Sequence, residues 1–167
     1  MRRARRLRPS SARRCLGAGF LAAASLAFLG AAEAPRPSIA VIAHPEVPSN
    51  DLELSELRRI FLADRQFWNR DTPVTLLVPA PGSPERAAML ARIYEKSETQ
   101  YRHYWIAKVF RAEVASAPKV VSARLAAELV LGIEGAITVV EASRVPPGVK
   151  VLRIDGKRLD DRDYPLR

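Results

Sequence analysis

The sequence predicts an α/β domain built on a mostly parallel sheet of four to five strands, flanked by helices. Three short apolar runs, at residues 39–43, 74–78 and 135–140, have the composition of strands that are buried on both faces. Segments with helical spacing separate these runs, and such alternation of strand and helix is typical of parallel sheets. The chain has 167 residues, a length that suits one domain with its own core.

Residues 1–32 form the predicted export signal. They contain seven arginines and no acidic residue, and an apolar run extends from Cys15 to Ala32. A basic start, an apolar run and small residues at its end are typical of a secretory signal peptide. Cleavage after Ala32 is the preferred interpretation; because the run is about 18 residues long, a retained N-terminal membrane anchor is the alternative. We therefore expect a periplasmic or secreted protein, with residues 33–38 as a lead-in and residues 39–167 as the domain.

The charge of the chain belongs mostly to this leader. The whole sequence has 27 basic and 18 acidic side chains and a formal net charge of +9. Without the seven leader arginines, 20 basic side chains face 18 acidic ones, so the domain carries about +2 and no nucleic-acid partner is expected. The single cysteine, Cys15, also lies in the leader, which excludes a disulfide, a thiolate metal site and a cysteine nucleophile from the domain.

Helix signals follow the first two strands. An amphipathic helix is expected to begin near Asp51 or Ser55, and its apolar face is formed by Leu54, Leu57, Ile60 and Phe61. A second helix begins at Ser83, with Pro84 in the first helical position, where the missing N–H of proline would be unpaired anyway. A third begins near Ser97, where the sequence Ser-Glu-Thr-Gln forms a capping box.

The last third of the chain repeats the alternation. Residues 119–122 are predicted to form a short extended piece, and residues 123–131 a helix that Gly132 closes. After the third buried strand, residues 149–154 alternate apolar and polar side chains, which indicates a strand with one face in water. Residues 155–156, Asp-Gly, are typical of a turn.

Catalytic and metal sites have little support in the sequence. The two histidines, His44 and His103, are far apart and show no ligand spacing. There is no Gly-x-Ser-x-Gly, no glycine-rich phosphate loop with lysine, and no dinucleotide fingerprint. We expect a non-enzymatic domain without a cofactor or a metal.

An aromatic group on the third helix has two interpretations. It consists of Tyr101, Tyr104 and Trp105, with Tyr94 upstream. Aromatic residues at this spacing mark a helix face that packs on the sheet more often than a ligand platform. Core packing is therefore the preferred interpretation.

Gly82, Ser83 and Arg86 are the candidate ligand-binding residues. A buried strand ends, a Gly-Ser loop follows, and a helix begins at the serine. Free N–H groups and the positive end of the helix dipole then meet at the carboxyl edge of a strand, where open α/β sheets bind ligands. Ser83 can donate its hydroxyl to an oxyanion, and Arg86 lies within one turn. The alternative is that Ser83 only caps the helix.

Four short motifs resemble the periplasmic phosphate-binding proteins, the type II solute receptors of phosphate ABC importers. In chain order they are Leu54-x-x-Leu57-x-x-Ile60-Phe61-Leu62 with Phe67-Trp68, then Gly82-Ser83, then Glu134-Gly135-Ala136-Ile137, and finally Tyr164-Pro165-Leu166-Arg167. Gly82-Ser83 is similar to the first half of the Gly-Ser-Gly-Thr phosphate loop of that family. The resemblance implies a single lobe of the receptor fold, because the chain is too short for two lobes.

The sequence also departs from the family pattern. Pro84 and Glu85 replace the second glycine and the threonine of the loop, so two contacts to phosphate are in doubt. Thr138 and Val139 replace a Gly-Tyr pair, and Ala63 stands where the family usually has glycine. A ligand that two lobes would clamp meets only half a cleft in this version.

The resemblance leads to two hypotheses. The first is an exported, non-enzymatic solute-binding domain for phosphate or another oxyanion, with an ABC transporter as partner. The second is a periplasmic protein-interaction or sensory accessory module that has lost anion binding and docks a membrane complex through the half-cleft. A homodimer that completes the cleft is compatible with both. A hydrolase is the weakest alternative, because no nucleophile and base pair is present.

Overall fold

The computed structural model describes residues 38–167. The predicted signal peptide and residues 33–37 lie outside the described residues. The elements are, in order, β1 (Ile39–Ala43), β2 (Asp51–Leu52), α1 (Leu54–Phe61), β3 (Thr75–Pro79), α2 (Pro84–Met89), α3 (Glu98–Phe110), β4 (Lys119–Val121), α4 (Ala123–Gly132), β5 (Ala136–Glu141), β6 (Lys150–Val151) and β7 (Arg153–Ile154). A π-helical turn (Leu90–Tyr94) continues α2, and a 3₁₀ turn (Ala142–Arg144) follows β5. No helix in this part of the chain is long and apolar enough to cross a membrane.

Five strands form the central sheet in the order β4-β3-β5-β1-β6. The predicted α/β class and strand number are confirmed. The parallel pairs are β3 with β4 and β3 with β5, whereas β1 runs antiparallel to both β5 and β6. The sheet is therefore mixed rather than mostly parallel. The reason is that residues 44–74 keep the chain at the end of the sheet where β1 finishes. Strand β3 therefore starts at that end, separated from β1 by β5, and runs opposite to β1.

The sheet is buried on both faces, as its apolar strands predict. On one face, side chains of β1 and β5 pack with Leu57 of α1, Met89 of α2 and Trp105 of α3. On the other face, alternate residues of the same strands pack with Ala126 and Val130 of α4. Burying one large aliphatic side chain stabilises a fold by about 1.5–3 kcal/mol. The packing of these two layers therefore stabilises the sheet without a disulfide.

Three element boundaries show how the structure departs from the predicted ones. The N-cap position of α1 is Glu53, between the expected Asp51 and Ser55; its side chain makes no capping hydrogen bond, and Asp51 belongs instead to β2, which pairs with β7. Helix α4 includes Gly132 as its last residue, and Ile133 is its C-cap. The strand predicted over residues 149–154 is divided into β6 and β7, since the N–H of Leu152 donates to Val41 and that of Arg153 to Asn50, so the chain changes sheets between them.

Candidate functional site

The carboxyl ends of β3, β4 and β5 lie together at one edge of the sheet, because these strands are parallel. Helix α2 begins after β3, helix α4 begins after β4, and the 3₁₀ turn follows β5. Open α/β sheets bind ligands at this edge. The Gly82-Ser83 loop connects β3 to α2 and is therefore located where the sequence predicted it.

The Gly82-Ser83 loop is a tight cap for α2. Gly82 has φ +85°, a left-handed conformation that favours glycine. The Ser83 Oγ accepts a hydrogen bond from the Arg86 N–H at 3.1 Å, and the Ser83 carbonyl accepts one from Ala87 at 3.1 Å. Since Pro84 has no N–H, the Glu85 N–H is the one first-turn donor to which the structure gives no partner. Ser83 is half-buried, and its hydroxyl proton is free to donate.

The Arg86 side chain turns away from the loop. It is 3% exposed, and its Nε and Nη2 atoms donate to the Glu98 carboxylate at 3.1 and 2.8 Å. The Nη1 atom donates to the Pro79 carbonyl at 3.4 Å, and the guanidinium carbon lies 4.1 Å from the ring centroid of Tyr101. Burial is the largest influence and disfavours the charge, but the interactions with Glu98 and Tyr101 together outweigh it and raise the pKa of Arg86. The sequence placed Arg86 beside Ser83; it did not reveal Glu98 as its partner.

Glu85 is a buried charge that the sequence did not single out as a site residue. It is 0% exposed and lies in a cavity of about 340 Å³ at the same sheet edge. The cavity is lined by Glu85, Ala123, Arg124, Ala127, Glu128, Val140, Arg144 and Pro146. One signal could have indicated its burial: Ala88 and Met89, three and four positions later, form the apolar face of the same helix.

The aromatic group on α3 and Tyr94 pack in the core, which was the preferred interpretation of the sequence. The rings of Tyr94 and Tyr101 meet edge to face at 4.8 Å, and those of Tyr101 and Trp105 at 6.2 Å. Burial raises the pKa of Tyr94 well above its usual value. His103 is exposed on α3, while His44 is half-buried after β1 and accepts a hydrogen bond from the Glu46 N–H. Within residues 38–167, no group of three or more metal-ligating side chains comes together.

An exposed apolar surface lies elsewhere, at the end of α3. Phe110 is 89% exposed and Ile106 is 66% exposed. Together with Arg102, Trp105 and Val109 they line a groove of about 720 Å³, which residues 115–117 close on the other side. An adjoining cavity includes Thr75 and Lys119, the first residues of β3 and β4. The apolar surface therefore lies toward the opposite edge of the sheet from the Gly82-Ser83 loop.

Three solved structures share this fold. A protein of Clostridium perfringens, described as a phosphate ABC transporter substrate-binding protein with bound phosphate, matches 74% of this chain and 47% of its own length, with a TM-score of 0.59 and 23% identity. An ABC-type phosphate transport receptor of Vibrio cholerae matches 78% and 53%, with a TM-score of 0.61 and 14% identity. PstS of Borrelia burgdorferi matches 78% and 54%, with a TM-score of 0.60 and 12% identity.

These likenesses concern the fold. The chain spans about half the length of the structures it matches. No known protein-family profile matches the sequence, and no curated protein matches it. The expected similarity to the periplasmic phosphate-binding proteins is thus confirmed at the level of the fold, over about three quarters of the chain.

Proposed function

We propose that this chain is an exported, non-enzymatic solute-binding domain that takes phosphate or a similar oxyanion at the Gly82-Ser83 loop. The observation that carries the proposal is the shared fold: three phosphate receptors match most of the chain. The loop lies between β3 and α2, at the carboxyl end of β3, and the tendency of open α/β sheets to bind ligands at such ends supports the proposal. The periplasm is the compartment in which the predicted export signal would place such a domain, and an ABC importer is the corresponding partner.

The Ser83 hydroxyl is the loop donor that supports an anion site. Its proton is available to an oxyanion, whereas the Glu85 N–H belongs to a residue that is 0% exposed. A helix N-terminus contributes only about 0.3–1 kcal/mol per charge where it is exposed. Arg86 contributes indirectly, because its N–H fixes the Ser83 side chain while Glu98 balances its charge. With so few donors we expect affinity no tighter than about millimolar, which corresponds to roughly −4 kcal/mol.

Calorimetry with phosphate and with sulfate tests the proposal. We expect binding in the millimolar range, and we expect Ser83→Ala to abolish it while lowering the free energy of unfolding by about 1 kcal/mol through loss of the cap. Ser122→Ala is the matched control, because Ser122 caps α4 at the same sheet edge through its bond from the Leu125 N–H. It should cost similar stability and leave binding unchanged. Absence of heat with both anions at 10 mM or more, on the order of ten times the expected dissociation constant, contradicts the proposal.

The exposed groove on α3 favours a second function, docking to a membrane-bound transporter or sensor. Contiguous apolar surface of this kind often marks an interaction site, and Phe110 and Ile106 are its most exposed members. Under this alternative, Phe110→Ser abolishes co-purification with an envelope complex, whereas Ser83→Ala does not. Homodimerisation through the same surface would appear as a concentration-dependent mass that Phe110→Ser removes.

A further inference from the structure

The Glu85 cavity contains a carboxylate whose hydrogen-bonding capacity is unfilled. Glu85 is 0% exposed, and neither of its carboxylate oxygens has a hydrogen-bond partner in the structure. The nearest cation is Arg144, whose Nη1 lies 3.6 Å from Glu85 Oε1, which is longer than a hydrogen bond. Burying a carboxylate without donors is costly, and buried polar groups in proteins almost always have partners. Among residues 38–167 no donor lies within hydrogen-bond distance of this carboxylate, so the cavity can accept a donor from a bound molecule.

The charges around the cavity indicate the sign of that donor. Arg124 Nε donates to Glu128 Oε1 at 3.1 Å, and Arg144 Nε lies 3.2 Å from Glu141 Oε2. Two acidic and two basic side chains line the cavity, namely Glu85, Glu128, Arg124 and Arg144, and Arg144 is shared with Glu141, which lies outside the lining. Each guanidinium thus has a closer carboxylate than Glu85, so the space beside Glu85 favours a cation.

The surroundings distinguish an organic cation from a metal ion. Hard divalent cations require six or more oxygen ligands, and no group of three or more metal-ligating side chains occurs among residues 38–167. The walls of the cavity are apolar, formed by Ala123, Ala127, Val140 and Pro146. A volume of about 340 Å³ lies within the range of small-molecule pockets.

We propose that this cavity binds the protonated amine of a small organic solute. The ammonium group donates to the Glu85 carboxylate, and the alkyl part of the solute packs on the apolar walls. The Arg144 side chain, which is 67% exposed, moves aside, because its contact with Glu85 is long and its bond to Glu141 is retained. This site is separate from the Gly82-Ser83 loop and goes beyond anion binding.

Thermal melting of the full chain with n-butylamine tests the proposal, and 1-butanol serves as a neutral probe of similar shape. We expect n-butylamine to raise Tm in a concentration-dependent way and 1-butanol to leave it unchanged. Glu85→Gln should weaken n-butylamine binding about 10- to 100-fold, the loss typical of one charged hydrogen bond. Its own Tm should equal or exceed that of the wild type, because an unpartnered buried charge is removed. Glu128→Gln, at the cavity rim, is the control and should retain binding.

A second variant keeps the proposal falsifiable if Glu85→Gln fails to fold. Arg144→Gln removes the cation that competes for Glu85, so n-butylamine should bind several-fold more tightly. Three results overturn the proposal: equal effects of n-butylamine and 1-butanol, no shift with n-butylamine at all, or unchanged or weaker binding in Arg144→Gln. None of these three results would bear on whether phosphate binds at Ser83, so the two proposals fail separately.

Discussion

Removing Glu98 should destabilise the domain far more than removing a surface carboxylate. Arg86 is 3% exposed, and two of its nitrogens donate to Glu98 at 3.1 and 2.8 Å. In Glu98→Ala the guanidinium stays buried, with Pro79 as its only remaining hydrogen-bond acceptor in the structure. Breaking a buried pair in this way costs about 3–5 kcal/mol. Because Glu98 is itself 37% exposed, water replaces part of the lost interaction, and we expect about 2–3 kcal/mol.

Urea unfolding followed by tryptophan fluorescence measures this loss, since Trp68 and Trp105 are both buried. At about 3 °C per kcal/mol for a domain of this size, Tm in a thermal melt should fall by roughly 6–9 °C. Glu128→Ala is the matched control: its partner Arg124 is 92% exposed, so we expect a loss of about 0.5 kcal/mol or less.

The double variant separates charge burial from packing. Combining Arg86→Met with Glu98→Ala removes both charges and keeps an unbranched side chain over Tyr101, so much of the lost stability should return. Equal, small losses in Glu98→Ala and Glu128→Ala would refute the reasoning. Such a result would mean that Glu98 does not hold Arg86, and that the guanidinium is available to an anion at the Ser83 loop.

Two further predictions concern backbone space and pH. In Gly135→Ala the new Cβ would lie 2.1 Å from the Pro73 carbonyl oxygen at φ +73°, so the free energy of unfolding measured in urea should fall by at least about 3 kcal/mol. In Gly132→Ala the new Cβ meets no atom within 4 Å, and the free energy of unfolding should rise by about 0.4–1 kcal/mol. Burial raises the pKa of Tyr164 from 10.0 to about 12, so between these pH values the unfolded chain releases a proton that the folded chain retains. The free energy of unfolding should therefore fall as pH rises from about 10 to 12, by at most about 2 kcal/mol from this residue; an unchanged slope in Tyr164→Phe would contradict this.

Elements that depend on local pattern were predictable from the sequence. The apolar run at residues 39–43 has the bounds of β1, and the capping box at Ser97 is present with both of its hydrogen bonds. The direction of β1 was not predictable, because it depends on where residues 44–74 return to the sheet. Strands β6 and β7 have two residues each, and their division follows from partners about a hundred positions earlier in the chain.

The location of the candidate site could be predicted from the sequence, but the partners of its charged side chains could not. The strand, glycine and serine that precede α2, with proline as its first residue, indicate a capped helix at the sheet edge, and the structure has it. The direction of the Arg86 side chain is decided by Glu98 and Tyr101, which belong to another helix. The burial of Glu85 depends on α4 and the turn after β5, which cover it. Acidic residues are common in the first turn of a helix, so the spacing of Glu85 to Ala88 and Met89 was the one local sign of its burial.

These two charges decide what the edge of the sheet can bind. Arg86 is balanced by Glu98, whereas the Glu85 carboxylate, two residues after Ser83, has no hydrogen-bond partner among residues 38–167. An oxyanion at Ser83 must therefore tolerate a nearby negative charge, which lowers its affinity, while an ammonium group in the cavity gains from the same charge. Glu85→Gln should consequently change the two affinities in opposite directions, with phosphate binding strengthened and n-butylamine binding weakened. A variant that shifts both ligands the same way would show that Glu85 acts through the shape of the edge and not through its charge.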